Sequence, residues 1–143
     1  MSAAARTQAQ TAEDSLLKER LARGQLISFT ARGASMRPWI CDGDEVSLAP
    51  LRGSKPRLGE VLLYERGGVL ILHRLLWRRG AQLWLKGDAL PALDEAIPQR
   101  AALARLVALR RGGSWCAIPR RRPLALSLPL GAARALWALR SQG

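Results

Sequence analysis

Histidine occurs once in these 143 residues, and cysteine only twice. Cys41 and Cys116 stand far apart, with no CxxC pair and no Cys–His cluster, so the ligand spacing of a structural zinc site is missing. A reduced cytoplasmic pair is the default expectation for them, although sequence alone does not exclude a disulfide. No stretch reaches the roughly 18 uncharged apolar residues that a spanning helix needs. The nearest, 123–139, is broken by Pro129, Gly131 and Arg134. The opening Met1-Ser2-Ala3-Ala4-Ala5-Arg6 runs into threonine, glutamine and acidic residues without the apolar core of a signal peptide. No internal repeat is visible. Acidic residues are scarce as well, 11 against 23 basic ones, which leaves a net charge of +12.

Such a balance favours nucleic acid, anionic membrane or acidic partners when the charge is gathered on one surface. Here the arginines are scattered, apart from Arg110-Arg111 and Arg120-Arg121-Arg122. They accompany abundant alanine, glycine and leucine, the composition that GC-rich coding produces. No nucleic-acid partner is expected, because a binding face would need a contiguous arginine patch. The hydrophobic fraction of 48% is ordinary for a globular chain, and the length suits one domain with a core that needs neither disulfide nor metal.

Residues 1–11 are small and polar and are expected to be disordered. Over 12–23, Leu16, Leu17 and Leu21 recur at helical spacing, with Asp14 as the expected cap and Gly24 as the stop. Strands are predicted at 25–31, 45–49, 60–65, 69–77 and 82–86, with two more at 103–109 and 114–118. Gly67-Gly68 reads as a hairpin turn, and 51–58 and the segment through Pro91 and Pro98 read as loops. Leucines, alanines and Trp137 over 124–140 suit an amphipathic helix that Pro129 and Gly131 would kink. The expected fold class is therefore mainly β: a coiled antiparallel domain over 12–119, an N-terminal helix, and a basic, amphipathic helical tail over 120–143.

The chemistry concentrates around Gly33-Ala34-Ser35-Met36-Arg37-Pro38. Glycine and proline place the serine at a bend, where a substrate can reach a hydroxyl, beside a methionine of exposed type. Serine is a weak nucleophile near neutral pH and needs a base and an oxyanion hole. The alternative is a turn serine that satisfies a nearby amide, the commoner use of this residue. His73, the single histidine, lies in Ile71-Leu72-His73-Arg74-Leu75-Leu76, where strand alternation sends it and Arg74 to opposite faces. It is either a packed histidine or the base for Ser35. Asp88 and Asp94 are each an orienter for the imidazole or a turn and loop acid; Asp44 reads as a turn residue. Lys86 is the rival base, since a desolvated lysine can serve a serine, with Lys55 a weaker one.

These residues resemble a known superfamily. Gly33 to Pro38, then Ile40 and Gly43-Asp44-Glu45-Val46, resemble the nucleophile box of the signal peptidases, which the self-cleaving repressors of the SOS response share. Leu58-Gly59-Glu60-Val61-Leu62-Leu63-Tyr64 is similar to the strand that follows that box. Leu72-His73-Arg74-Leu75 falls where bacterial members carry Lys-Arg, and histidine there is the pattern of the endoplasmic-reticulum and archaeal type. Lys86-Gly87-Asp88 followed by Asp94 matches that type's two later aspartates.

The resemblance spans most of the folded part. It implies a β-rich serine endopeptidase without cofactor or metal, with Ser35 as nucleophile, His73 as general base, and Asp88 or Asp94 orienting the imidazole. It also implies that the Ser35 amide holds the oxyanion, that Gly33, Ala34, Met36 and Pro38 line the substrate site, and that a small residue precedes the scissile bond. Members of that type are anchored by a membrane helix, and none is legible here. The expected setting is therefore cytoplasmic. The tail either docks on anionic lipid at the inner face of the membrane, or the enzyme is free and trims a dedicated protein or peptide precursor. The competing reading is an inactive peptide-binding module of the same fold. A Ser35 hydroxyl within about 3.5 Å of the imidazole separates the two, allowing for loose geometry without substrate.

Overall fold

Central strands that are apolar at successive positions, such as Val61-Leu62-Leu63-Tyr64, build a sheet with an apolar cluster on each side. The computed structural model describes residues 8–118. The element order is α1 (Gln8–Ala22), β1 (Ile27–Thr30), β2 (Glu45–Pro50), β3 (Val61–Arg66), β4 (Val69–Arg79), β5 (Gln82–Lys86), β6 (Ile97–Pro98), β7 (Ala102–Arg111) and β8 (Ser114–Ala117). All pairings among the described residues are antiparallel, in the order β1-β2-β7-β3-β4-β5-β6. β8 pairs with the C-terminal part of β7, on the side whose N-terminal part β3 occupies. The mainly-β expectation is met. The tail over 120–143 lies outside the described residues.

Two details differ from the sequence reading. The helix already includes Gln8, where the described residues start, so residues 8–11 are helical and Asp14 lies inside the helix instead of capping it. Alanine and glutamine are good helix formers, and no glycine or proline stops the helix from extending that far back. The short β6 falls in a segment read as loop. It pairs Ile97 and Pro98 with Leu83 and Gln82 at the edge of the sheet, where a proline costs no ladder bond.

Val61 and Leu63 of β3 pack with Met36, Ile40, Leu48 and Leu106 on one side of the sheet. Leu62 and Tyr64 pack with Leu75, Leu83, Leu85 and Ile97 on the other. The register Leu62↔His73 puts His73 on the Tyr64 side, and Val61↔Arg74 puts Arg74 on the Met36 side. Both are buried, which is unusual for polar neighbours on a strand, and both find a carboxylate. No helix among the described residues is long and apolar enough to cross a membrane.

Candidate active site

The turn 33–40 carries Ser35 away from the end of β1, and hydrogen bonds fix its shape. The amide of Gly33 donates to Asp42 Oδ1 (2.8 Å), and the amides of Trp39 and Ile40 donate to the Met36 carbonyl. Gly33 has φ 89°, a left-handed angle that favours glycine. Asp44 closes the far side: its carboxylate accepts from the Cys41 amide (2.7 Å) and from Arg111 at 2.9 and 2.6 Å. The hydrogen bonds from Arg111 hold the Asp44 carboxyl below the usual carboxylate range, outweighing the opposing effect of burial. This matches its reading as a structural turn acid.

A second turn, after β5, presses against the first. The Ala89 amide donates to the Ser35 carbonyl (2.8 Å), and the Asp88 amide approaches the Met36 thioether at 3.5 Å. Met36 is thus buried and anchors the serine turn, contrary to its reading as an exposed residue. Arg74 holds the second turn. Its Nε and Nη2 donate to the two oxygens of Asp88, each at 2.9 Å, and its Nη1 donates to the Gly59 carbonyl at 2.8 Å. Asp88 therefore does not orient His73. It is the buried partner of Arg74 and positions the serine turn through its own backbone.

Asp94 is the acid on the histidine. His73 Nδ1 lies 2.5 Å from Asp94 Oδ2, and the Tyr64 hydroxyl donates to the same oxygen at 2.6 Å. Burial opposes ionisation of Asp94, but the hydrogen bonds from His73 and Tyr64 outweigh it and hold its carboxyl below the ordinary range. An ionised carboxylate only accepts, so Nδ1 carries a proton, and in the neutral imidazole the lone pair is then on Nε2. That nitrogen faces the serine turn across Gly87. A Cβ placed on Gly87 would sit 3.0 Å from His73 Nε2 and 2.7 Å from the Ser35 carbonyl oxygen. Close approach favours glycine here, since a Cβ would crowd both the imidazole and the Ser35 carbonyl.

Among the described residues the Ser35 hydroxyl makes no hydrogen bond to His73, and the Ser35 amide donates none either. Lys86, the rival base, is buried and points elsewhere. Its ammonium donates to the Gly87 carbonyl (3.0 Å) and reaches the Asp88 carbonyl (3.5 Å), and burial lowers its proton affinity.

A groove of about 800 Å³ runs from Ser35 between the end of β1 and residues 70–72 of β4, with α1 as its third wall. Gly33, Ser35 and Met36 border it, with Phe29, Leu63 and Leu72 among its apolar walls. Pro38 lines a different cavity, beside Trp39 and Leu58. The sequence reading missed Tyr64, although the Gly67-Gly68 hairpin registers Tyr64 diagonally to His73 on one face.

Neither a family model nor a curated protein matches the chain.

Proposed function

We propose that the protein is a serine endopeptidase of the signal peptidase-like kind, acting on a protein or peptide precursor. The observation that carries this reading is the relay Asp94–His73 with its free Nε2 facing the serine turn across Gly87. Among the described residues β1 is an edge strand and β4 before Arg74 pairs only with β3, so both strands leave backbone groups open along the groove. An extended peptide adds to such edges by main-chain hydrogen bonds, with its alternate side chains in the apolar walls. Its scissile carbonyl then comes to Ser35.

His73 Nε2 takes the hydroxyl proton as Ser35 Oγ bonds to the carbonyl carbon, and Asp94 stabilises the imidazolium that results. The unbonded Ser35 amide donates to the developing oxyanion. The imidazolium returns its proton to the leaving amine as the C–N bond breaks, and water then releases the acyl group by the same steps in reverse order. The hydroxyl–imidazole bond has to form when substrate binds, as is common for catalytic hydrogen bonds. The test is cleavage of a peptide library by the wild-type chain and by Ser35→Ala and His73→Ala. Cleavage that both variants lose supports the assignment; undiminished turnover in both overturns it.

The same missing bond favours a second reading, a non-catalytic module of this fold that holds an extended peptide in the groove. It predicts library peptides that bind and are never cut.

A further inference from the structure

Tyr64 is the only tyrosine in the chain and is fully buried. A phenol in a core needs a hydrogen-bond partner. This one has chosen the very oxygen that accepts from His73, and its own oxygen lies 3.4 Å from His73 Nδ1. The two rings meet edge to face, with centroids 6.2 Å apart. Asp94 enters from a loop and is tied to the sheet by its amide, which donates to the Leu85 carbonyl at 2.8 Å. Without the phenol its carboxylate would be held by His73 alone; the phenol, fixed in the core, pins the same oxygen in front of the imidazole.

We propose that Tyr64 is a positioning residue of the His73–Asp94 pair, fixing the carboxylate as a second donor and drawing charge from the oxygen that faces the imidazole. This rests on the peptidase reading for its role in turnover, but its effect on His73 is independent of turnover. Among the described residues the other charged groups around the pair are Arg66, which donates to the Glu95 carbonyl at 2.7 Å, Glu95 itself, and Lys86. Arg74 and Asp88 neutralise one another on the far face. Removing the phenol hydroxyl leaves Asp94 Oδ2 with His73 as its one donor of the two, so more of its charge stabilises the imidazolium. With the 2.5 Å contact between His73 and Asp94 retained, the imidazole then holds its proton to higher pH. A purely structural tyrosine would not move the titration in that direction.

The experiment is an NMR titration of the full, untagged chain, in which the single histidine gives one unambiguous imidazole signal. Tyr64→Phe is expected to move the titration midpoint to higher pH. It should also move the acid limb of the kcat/KM profile the same way and lower kcat/KM at neutral pH about tenfold. Should Tyr64→Phe fail to fold, biosynthetic 3-fluorotyrosine replaces this one phenol with a stronger donor of nearly the same shape and should move the midpoint down. An unmoved midpoint, or movement against these signs, overturns the proposal. Shifts as expected in a chain that cleaves nothing uphold the role of Tyr64 and overturn the peptidase reading instead.

Discussion

Replacing Gly87 by alanine would put a carbon 2.7 Å from the Ser35 carbonyl oxygen, 2.9 Å from Leu90 Cδ1 and 3.0 Å from His73 Nε2. Leu90 is partly exposed, and its side chain can turn aside. The other two neighbours cannot give way so easily. The Ser35 carbonyl is held by the Ala89 amide, and the imidazole is clamped between Asp94 and the core. Ordinary contact begins near 3.4 Å, so the serine turn has to retreat by roughly 0.7 Å. Overpacking of this kind costs about 1–3 kcal/mol of stability. Displacing a nucleophile from its base by nearly 1 Å costs about a hundredfold in rate. Gly87→Ala should therefore fold, melt a few degrees lower, and lose about a hundredfold in kcat/KM on a library-derived peptide. Adding Leu90→Ala should restore little activity, because the contact with Ser35 remains. Wild-type turnover in Gly87→Ala would show that the serine turn and the histidine do not approach as described.

The two aspartates should separate cleanly. Asp94→Asn should lower kcat/KM by orders of magnitude with a modest change in melting, because it deprives the imidazole of its counter-charge. Asp88→Ala leaves the Arg74 guanidinium buried without its partner, and chemical denaturation should read a loss of about 3–5 kcal/mol. Equal melting of the two variants would contradict the division of roles. Asp44 predicts a pH dependence. Its carboxyl is held below the ordinary range by Arg111, so its contribution is present above about pH 4 and is lost as pH falls through the depressed value. Urea unfolding of wild type and Asp44→Asn should show a stability gap at pH 6 that closes toward pH 2; a gap that does not change with pH would count against the ion pair.

Much of the fold was legible because strand alternation and glycine turns are local signals. The Gly67-Gly68 hairpin fixes the register of β3 on β4, and with it the opposite faces of His73 and Arg74. The choice between Asp88 and Asp94 was not legible, for a physical reason. Both follow the last residue of β5, where side chains no longer alternate. The chain reverses at Gly87, whose carbonyl accepts from the Leu90 amide, and comes back so that the Asp94 amide meets Leu85. That return, which sequence spacing does not encode, delivers Asp94 to the histidine and leaves Asp88 to Arg74. Met36 escaped for a similar reason: a turn residue gains its burial from a distant segment, here the Asp88 amide. Tyr64 lay within reach of hairpin arithmetic, since a diagonal neighbour of a buried histidine is an obvious place for a hydrogen-bonding partner.

The proposed chemistry is attack of Ser35 on a peptide carbonyl with His73 as its base. Acid-quenched mass spectrometry of the chain mixed with an activated peptide ester reads that step directly. An acyl adduct is predicted on the fragment containing Ser35, absent from Ser35→Ala and formed far more slowly by His73→Ala. An adduct elsewhere on the chain, or none under conditions where the peptide binds, contradicts this chemistry.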